Sequence, residues 1–173
     1  TRLDCVIGSS AGMRAAVTYA LHHAEHRRAF GERLVDQPLM RNVLADLALE
    51  SEAATALMMR LAGAMDRSSA GNETETAFRR LGVAVGKFWV TKRQPAHAAE
   101  ALECLGGNGY VEESGMPRLF RDSPLNSIWE GSGNVAALDV LRAMGRSPES
   151  VEAFLGELHA ATGADDHYDT AVK

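Results

Sequence analysis

The sequence has few of the features that mark secreted, membrane-bound or nucleic-acid-binding proteins. Its 173 residues include only two cysteines, Cys5 and Cys104, and these fit no disulfide or metal pattern. There is no recognisable signal peptide and no apolar run long enough to span a bilayer, so we expect a cytoplasmic protein without a membrane partner. The formal net charge of −5 offers no overall attraction to nucleic acid, and we expect no nucleic acid contact from this chain.

The composition is that of a single helical domain. Hydrophobic residues make up 46% of the chain, which is enough for one sizeable core, and no internal repeat or low-complexity tract interrupts it. The chain opens at Thr1 directly on a helical pattern without an initiator Met. We therefore expect it to be a piece of a longer protein.

Apolar residues recur at helical spacing along most of the chain. The pattern predicts helices over about residues 3–28, 38–65, 73–104 and 133–144, with a bend near Pro95, a stop at Gly31 and a capping box formed by Asn72 and Glu75. The predicted fold is all-α, an antiparallel four-helix bundle over residues 1–146 with essentially no sheet. An additional amphipathic helix after Pro148 would begin a C-terminal helical extension over residues 147–173.

A long irregular stretch between the third and fourth helices holds the main candidate for catalysis. Glu130 follows Ile128 and Trp129 and precedes Gly131, just before the fourth helix. Apolar neighbours would bury the carboxylate and raise its pKa, and nearby backbone amides could polarise a bound carbonyl. Those properties suit a base that removes a proton next to a carbonyl. The alternative is an acid near a helix N-terminus, stabilised only by the helix dipole.

Two further sequence patterns each allow two interpretations, as a ligand site or as an ordinary helix feature. In RRAFG (27–31), Arg27 offers paired donors suited to a pyrophosphate, but the same residues also fit a helix C-terminus with arginines that match the dipole and a glycine cap. His22 and His26 lie four residues apart on one helix, a spacing that could hold a metal. Because no third ligand is evident, exposed helix polarity is the favoured interpretation and we expect no metal site.

Four motifs in a fixed order resemble the C-terminal domain of acyl-CoA dehydrogenases. They are RRAFG (27–31), ECLGGNGY (103–110), LFRD (119–122) and WEGSGN (129–134). The residues within and around these motifs look most like those of the alkylation-response branch of that family, the AidB branch. The resemblance implies an FAD-dependent enzyme that carries out α,β-dehydrogenation of an acyl-CoA thioester, and a homodimer or homotetramer assembled through the bundle.

The resemblance also implies roles for individual residues. Glu130 would be the catalytic base, its own N–H would bind the thioester carbonyl, and the substrate-binding positions would be Arg2, Trp129 and Gly131. Flavin or pyrophosphate contacts from the same subunit would come from Ser132 and Asn134. Contacts to the FAD of a neighbouring subunit would come from Arg27, Phe30, Glu103, Gly106 and Gly107. The isolated piece should self-associate and bind FAD weakly or not at all.

The chain departs from the family pattern at two positions. The family usually has Gln at the position of Glu103, and an acid beside a pyrophosphate is electrostatically unfavourable. Many relatives also have a flavin-contacting Gln where this chain has Pro38.

The alternative function is a DNA-alkylation-response flavoprotein that binds DNA through regions outside this fragment and has weak dehydrogenase activity. Acyl-chain specificity and the electron acceptor are not encoded in any motif of this stretch.

Overall fold

The computed structural model describes residues 1–172, and almost all of them belong to helices. The helices are α1 (Arg2–His26), α2 (Pro38–Ser69), α3 (Glu73–Cys104), α4 (Gly107–Tyr110), α5 (Met116–Asp122), α6 (Leu125–Ile128), α7 (Gly133–Arg146), α8 (Pro148–His159) and α9 (Asp166–Val172). Two short strands, β1 (Arg28–Ala29) and β2 (Glu32–Arg33), pair as an antiparallel hairpin. None of the helices described here is long and apolar enough to cross a membrane.

The predicted all-α bundle with an additional C-terminal helix is confirmed. The long helices α1, α2 and α3 pack against one another, α7 packs on α3 as the fourth member, and α8 packs on both α3 and α7. The stretch between α3 and α7 is less irregular than predicted, because it folds into the short helices α4, α5 and α6. Pro95 lies inside α3 without ending it.

Close contact between α2 and α3 depends on two glycines. Leu61 of α2 is fully buried and lies against Gly82 and Gly86, which are one helical turn apart on α3. A Cβ atom at Gly86 would lie 2.7 Å from Leu61 Cδ1. The leucine therefore fits a notch that larger residues on α3 would fill.

A cluster of charged side chains joins α2, α3 and α8. Asn72 caps α3, accepting a 3.0 Å hydrogen bond from the Glu75 N–H as predicted. The Glu75 carboxylate does not complete the predicted capping box; it pairs instead with Arg60 and Arg67 of α2. Arg60 also binds Glu157 of α8 at 2.5 Å. Helix α8 is thus held on the bundle, although it lies beyond the predicted boundary at residue 146.

The predicted end of the first helix is wrong. Helix α1 ends at His26, and Arg27 already has an extended backbone with φ −77° and ψ 129°. The chain then forms the β1–β2 hairpin, whose two turn residues, Phe30 and Gly31, have φ angles of 55° and 90°. Two successive residues with positive φ are the signature of a tight hairpin turn. Gly31 therefore closes a hairpin and does not end a helix.

Candidate functional site

The predicted site residues fall into two groups at opposite ends of α1. We call residues 129–134 together with Arg2 the loop cluster, which lies at the start of α1. We call Arg27, Phe30, Glu103, Gly106 and Gly107 the hairpin cluster, which lies beyond the end of α1. A helix of 25 residues is about 37 Å long, so the two clusters are well separated within one chain.

The backbone of the loop cluster is unusual. After α6 the chain extends at Trp129, and then both Glu130 and Gly131 adopt left-handed conformations, with φ 57° and 100°. Glycine adopts this conformation freely, but for Glu130 it costs on the order of 1–2 kcal/mol. Surrounding contacts must therefore hold Glu130 in place.

Lys87 of α3 supplies such contacts, and sequence reasoning missed it. Only 1% of the residue is exposed, and its Nζ donates a 2.8 Å hydrogen bond to the Trp129 carbonyl and a second one to the Gly131 carbonyl. Burial lowers the pKa of Lys87 below its usual value, and the nearby charge of Glu130 acts in the opposite sense. The signal in the sequence was a lysine at the same helical spacing as the buried Val90 and Thr91.

The predicted burial of Glu130 is wrong for the part of the chain described here. Its side chain is exposed, and the apolar neighbours Ile128 and Trp129 are themselves 62% and 51% exposed. The loop lies on the outside of the bundle, so these groups cannot desolvate the carboxylate by themselves. Within residues 1–172 the Glu130 N–H donates no hydrogen bond. The acid and its amide are thus both available to a ligand.

The start of α7 completes the loop cluster. Ser132 occupies the position before the first helical residue, but among the described residues its side chain makes no capping hydrogen bond. Asn134 lies exposed in the first turn of α7. Both side chains remain available to contact a ligand.

Arg2 lies beside the loop, as predicted. A Cβ atom on Gly131 would lie 3.8 Å from Arg2 Nη2 and 3.1 Å from Val135 Cγ1, so this position has little room for a side chain. Arg2 forms an ion pair with Asp139 of α7, which also binds Arg80 at 2.9 Å. The hydrogen bond from Arg80, together with that from Arg2, lowers the pKa of Asp139 from 3.8 to about 2. The ion pairs fix the arginine next to the loop.

The hairpin cluster surrounds a surface cavity of about 460 Å³. The structure brings Arg27, Glu103, Gly106 and Gly107 together in its lining. The backbone turns sharply here, with φ 59° at Gly106. Phe30 lies at the tip of the hairpin and is 98% exposed, an unusual environment for an aromatic ring on a finished surface.

The cavity residues suit a dinucleotide only if each group takes a particular part of it. Arg27 is exposed and offers donors for a pyrophosphate, and the backbone at Gly107 is open, because a Cβ there would meet no atom within 4 Å. The exposed carboxylate of Glu103 opposes an anion but can accept hydrogen bonds from ribose or adenine. With that division of roles the residues fit FAD.

The histidines of α1 do not gather a metal site within the described residues. The rings of His22 and His26 are tilted by 39° with centroids 4.3 Å apart, and His26 Nδ1 lies 2.8 Å from the His22 carbonyl oxygen. Across residues 1–172, no three His, Cys, Asp or Glu side chains converge on one point. The side chains of His22 and His26 are both exposed.

Comparison with known proteins identifies the class of domain. The AidB protein of Escherichia coli K12 is 46% identical over 173 residues, which is all of this chain and 32% of that protein. Acyl-CoA dehydrogenase family member 11 of Caenorhabditis elegans is 32% identical over the whole chain, which covers 28% of that protein. The crystal structure of Caenorhabditis elegans ACDH-11 with C11-CoA superposes with a TM-score of 0.88 at 30% identity, covering 96% of this chain and 29% of that one.

The chain spans about a third of the length of these relatives. The profile of the acyl-CoA dehydrogenase C-terminal domain matches residues 1–145, a range that includes both clusters. The chain belongs to the acyl-CoA dehydrogenase family.

Proposed function

We propose that this chain is the C-terminal domain of an FAD-dependent acyl-CoA dehydrogenase in which Glu130 is the base. The observation that carries the proposal is the loop cluster. There an exposed carboxylate and its own N–H, which has no hydrogen-bond acceptor within residues 1–172, lie on a backbone held by a buried lysine. The acid can accept a proton, and the amide can bind a carbonyl oxygen. The α-proton of a thioester is on the carbon next to the carbonyl, so the two groups can act on the same substrate.

The proposed reaction removes two hydrogens from adjacent carbons. Glu130 takes the α-hydrogen as a proton, and the β-hydrogen leaves with its electron pair, so that a double bond forms between the two carbons. When bound, FAD would accept the β-hydrogen as a hydride. The Glu130 N–H stabilises the negative charge that develops on the thioester oxygen. Trp129 and Gly131, next to the acid, would contact the acyl chain, and Arg2 would border the same site.

Exposure of Glu130 supports a site that is completed by other parts of the protein. A base of this kind works best when water is excluded and its pKa lies near the working pH. The half-exposed Ile128 and Trp129 provide an apolar surface on which another domain, the flavin and the acyl chain would pack. Burial of the carboxylate would then occur in the complete enzyme.

The separation of the two clusters supports an oligomer that shares its flavin sites. We propose that Ser132 and Asn134 contact the FAD of their own subunit, whereas the hairpin cluster contacts the FAD of a neighbouring one. One cofactor contacting both ends of α1 in a single chain would have to bridge about 37 Å. The exposed ring of Phe30 would then contact a second subunit. The expected assembly is a homodimer or homotetramer.

Substitution of the proposed base tests the function. In the complete protein that contains this domain, Glu130→Gln keeps the size of the side chain but cannot accept the α-proton. We expect the rate at which an acyl-CoA bleaches the flavin to fall by roughly two or more orders of magnitude, with flavin content unchanged. Glu113→Gln is a matched control, because Glu113 is an exposed acid outside both clusters. Equal rates for Glu130→Gln and the parent protein would refute the proposal.

Similarity to AidB along the full chain is the observation that favours a second candidate function. In that alternative, the complete protein responds to DNA alkylation, binds DNA outside this domain and has weak dehydrogenase activity. A panel of acyl-CoAs with a dye as electron acceptor separates the two functions. Failure of every acyl-CoA to reduce the flavin, together with salt-dependent binding to duplex DNA, would favour the alternative.

A further inference from the structure

Lys87 lies on the inner side of the loop that carries the proposed base. Its ammonium group binds the carbonyl oxygens of Trp129 and Gly131, the residues on either side of Glu130. Burial of a charge costs several kcal/mol unless hydrogen bonds compensate for it. Within residues 1–172, both hydrogen bonds of the buried ammonium go to this loop.

Peptide geometry gives those two bonds a directional consequence. No peptide bond in the described chain is cis, and in a trans peptide the C=O and the following N–H point in opposite directions. Because the Trp129 carbonyl points inward to Lys87, the Glu130 N–H must point outward. The Gly131 carbonyl orients the Ser132 N–H in the same way. The lysine therefore sets the direction of amides on the exposed side of the loop.

We propose that Lys87 is a positioning residue that presents the Glu130 N–H to the thioester carbonyl of the substrate, an inference that rests on the proposed function. Two effects combine. The hydrogen bonds hold Glu130 in its left-handed conformation. The ammonium group of Lys87, bound to the Trp129 carbonyl oxygen, also polarises the peptide bond between Trp129 and Glu130, so that the Glu130 N–H becomes a stronger donor.

Other cations near the loop do not serve this purpose. Arg2 is engaged by Asp139, and Lys92, five residues further along α3, is exposed. Lys92 has its side chain close to Gly133 but makes no hydrogen bond to the loop in the described structure. It is therefore a suitable control of the same residue type on the same helix.

The test is carried out in the complete flavoprotein with Lys87→Met, which keeps the length of the side chain and removes its donors. The probe is a conjugated enoyl-CoA, whose absorbance moves to longer wavelength when a donor polarises its thioester carbonyl. We expect Lys87→Met to lose most of that movement and to reduce flavin at least tenfold more slowly at saturating acyl-CoA. Binding of the probe should weaken only a few-fold. Lys92→Met should match the parent protein in all three measurements.

Comparison with Glu130→Gln separates this inference from the proposed function. That variant keeps the amide, so it should keep the absorbance change while losing the rate. A parent protein that neither shifts the probe nor reduces its flavin would overturn the proposed function and this inference with it. A parent that does both, beside a Lys87→Met variant that retains the absorbance change, would overturn the role of Lys87 alone. If Lys87→Met does not fold, Lys87→Leu replaces it, since leucine also lacks a donor, and an unchanged spectrum would be equally contradictory.

Discussion

Asp139 is expected to contribute substantially to stability while it fixes Arg2 beside the loop. Its side chain is 14% exposed and is shared between Arg2 and Arg80. Lowering of its pKa from 3.8 to about 2 corresponds to about 2 kcal/mol in favour of the folded state, since each tenfold change in proton affinity is worth about 1.4 kcal/mol. Asp139→Asn keeps the shape of the side chain and removes its charge. The variant should therefore be about 2 kcal/mol less stable at neutral pH.

The same linkage fixes the pH dependence of this effect. Because the folded pKa of Asp139 is depressed, the stabilisation is complete above about pH 4 and is lost as the pH falls toward 2. Urea unfolding followed by circular dichroism should separate parent and variant clearly at neutral pH and progressively less in acid. Asp46→Asn, at an exposed acid of α2 that forms no ion pair within residues 1–172, should differ from the parent by less than about 0.5 kcal/mol. Identical urea midpoints for Asp139→Asn and the parent at neutral pH would refute the reasoning.

Two further substitutions test the core and the hairpin cluster. Leu61→Ala empties a fully buried position between α2 and α3 and should cost about 2–5 kcal/mol in urea unfolding, whereas Leu49→Ala, at a 66% exposed leucine on the same helix, should cost much less. In the complete protein, Arg27→Gln should weaken FAD binding about tenfold by fluorescence titration, because a charged donor to the pyrophosphate is lost; Arg118→Gln, at an exposed arginine outside the cavity, is the control. Equal losses for the two leucines, or unchanged FAD affinity in Arg27→Gln, would contradict these interpretations.

The helices were predictable because their apolar residues repeat with the helical period over long segments. The predicted bounds of α2 and α3 begin within a residue of those observed, helped by Pro38 at the start of one helix and the Asn72 cap of the other. The end of α1 was not predictable in the same way. RRAFG contains good helix formers, and the hairpin depends on a left-handed conformation at Phe30 that ordinary propensities disfavour.

The candidate site was predictable in its residues but not in its support. The ordered motifs identified Glu130 and its neighbours, yet local hydrophobicity wrongly predicted burial of the acid, because burial depends on what packs over a loop and not on adjacent residues alone. Hydrophobicity also favours Phe88 and Trp89 as interior residues, whereas both are about half exposed and the adjacent Lys87 is buried. The burial of Lys87 could not be predicted without knowing the two carbonyl oxygens that accept its hydrogen bonds.

Exchange of the α-hydrogen of an acyl-CoA tests the central claim most directly. An acyl-CoA that carries deuterium on the α-carbon and no transferable hydrogen on the β-carbon can lose its label only through the proposed base. Mass spectrometry of the recovered thioester should show loss of deuterium to water with the parent protein, and loss at least about a hundredfold slower with Glu130→Gln. Deuterium loss at the parental rate in Glu130→Gln would contradict the assignment of Glu130 as the base.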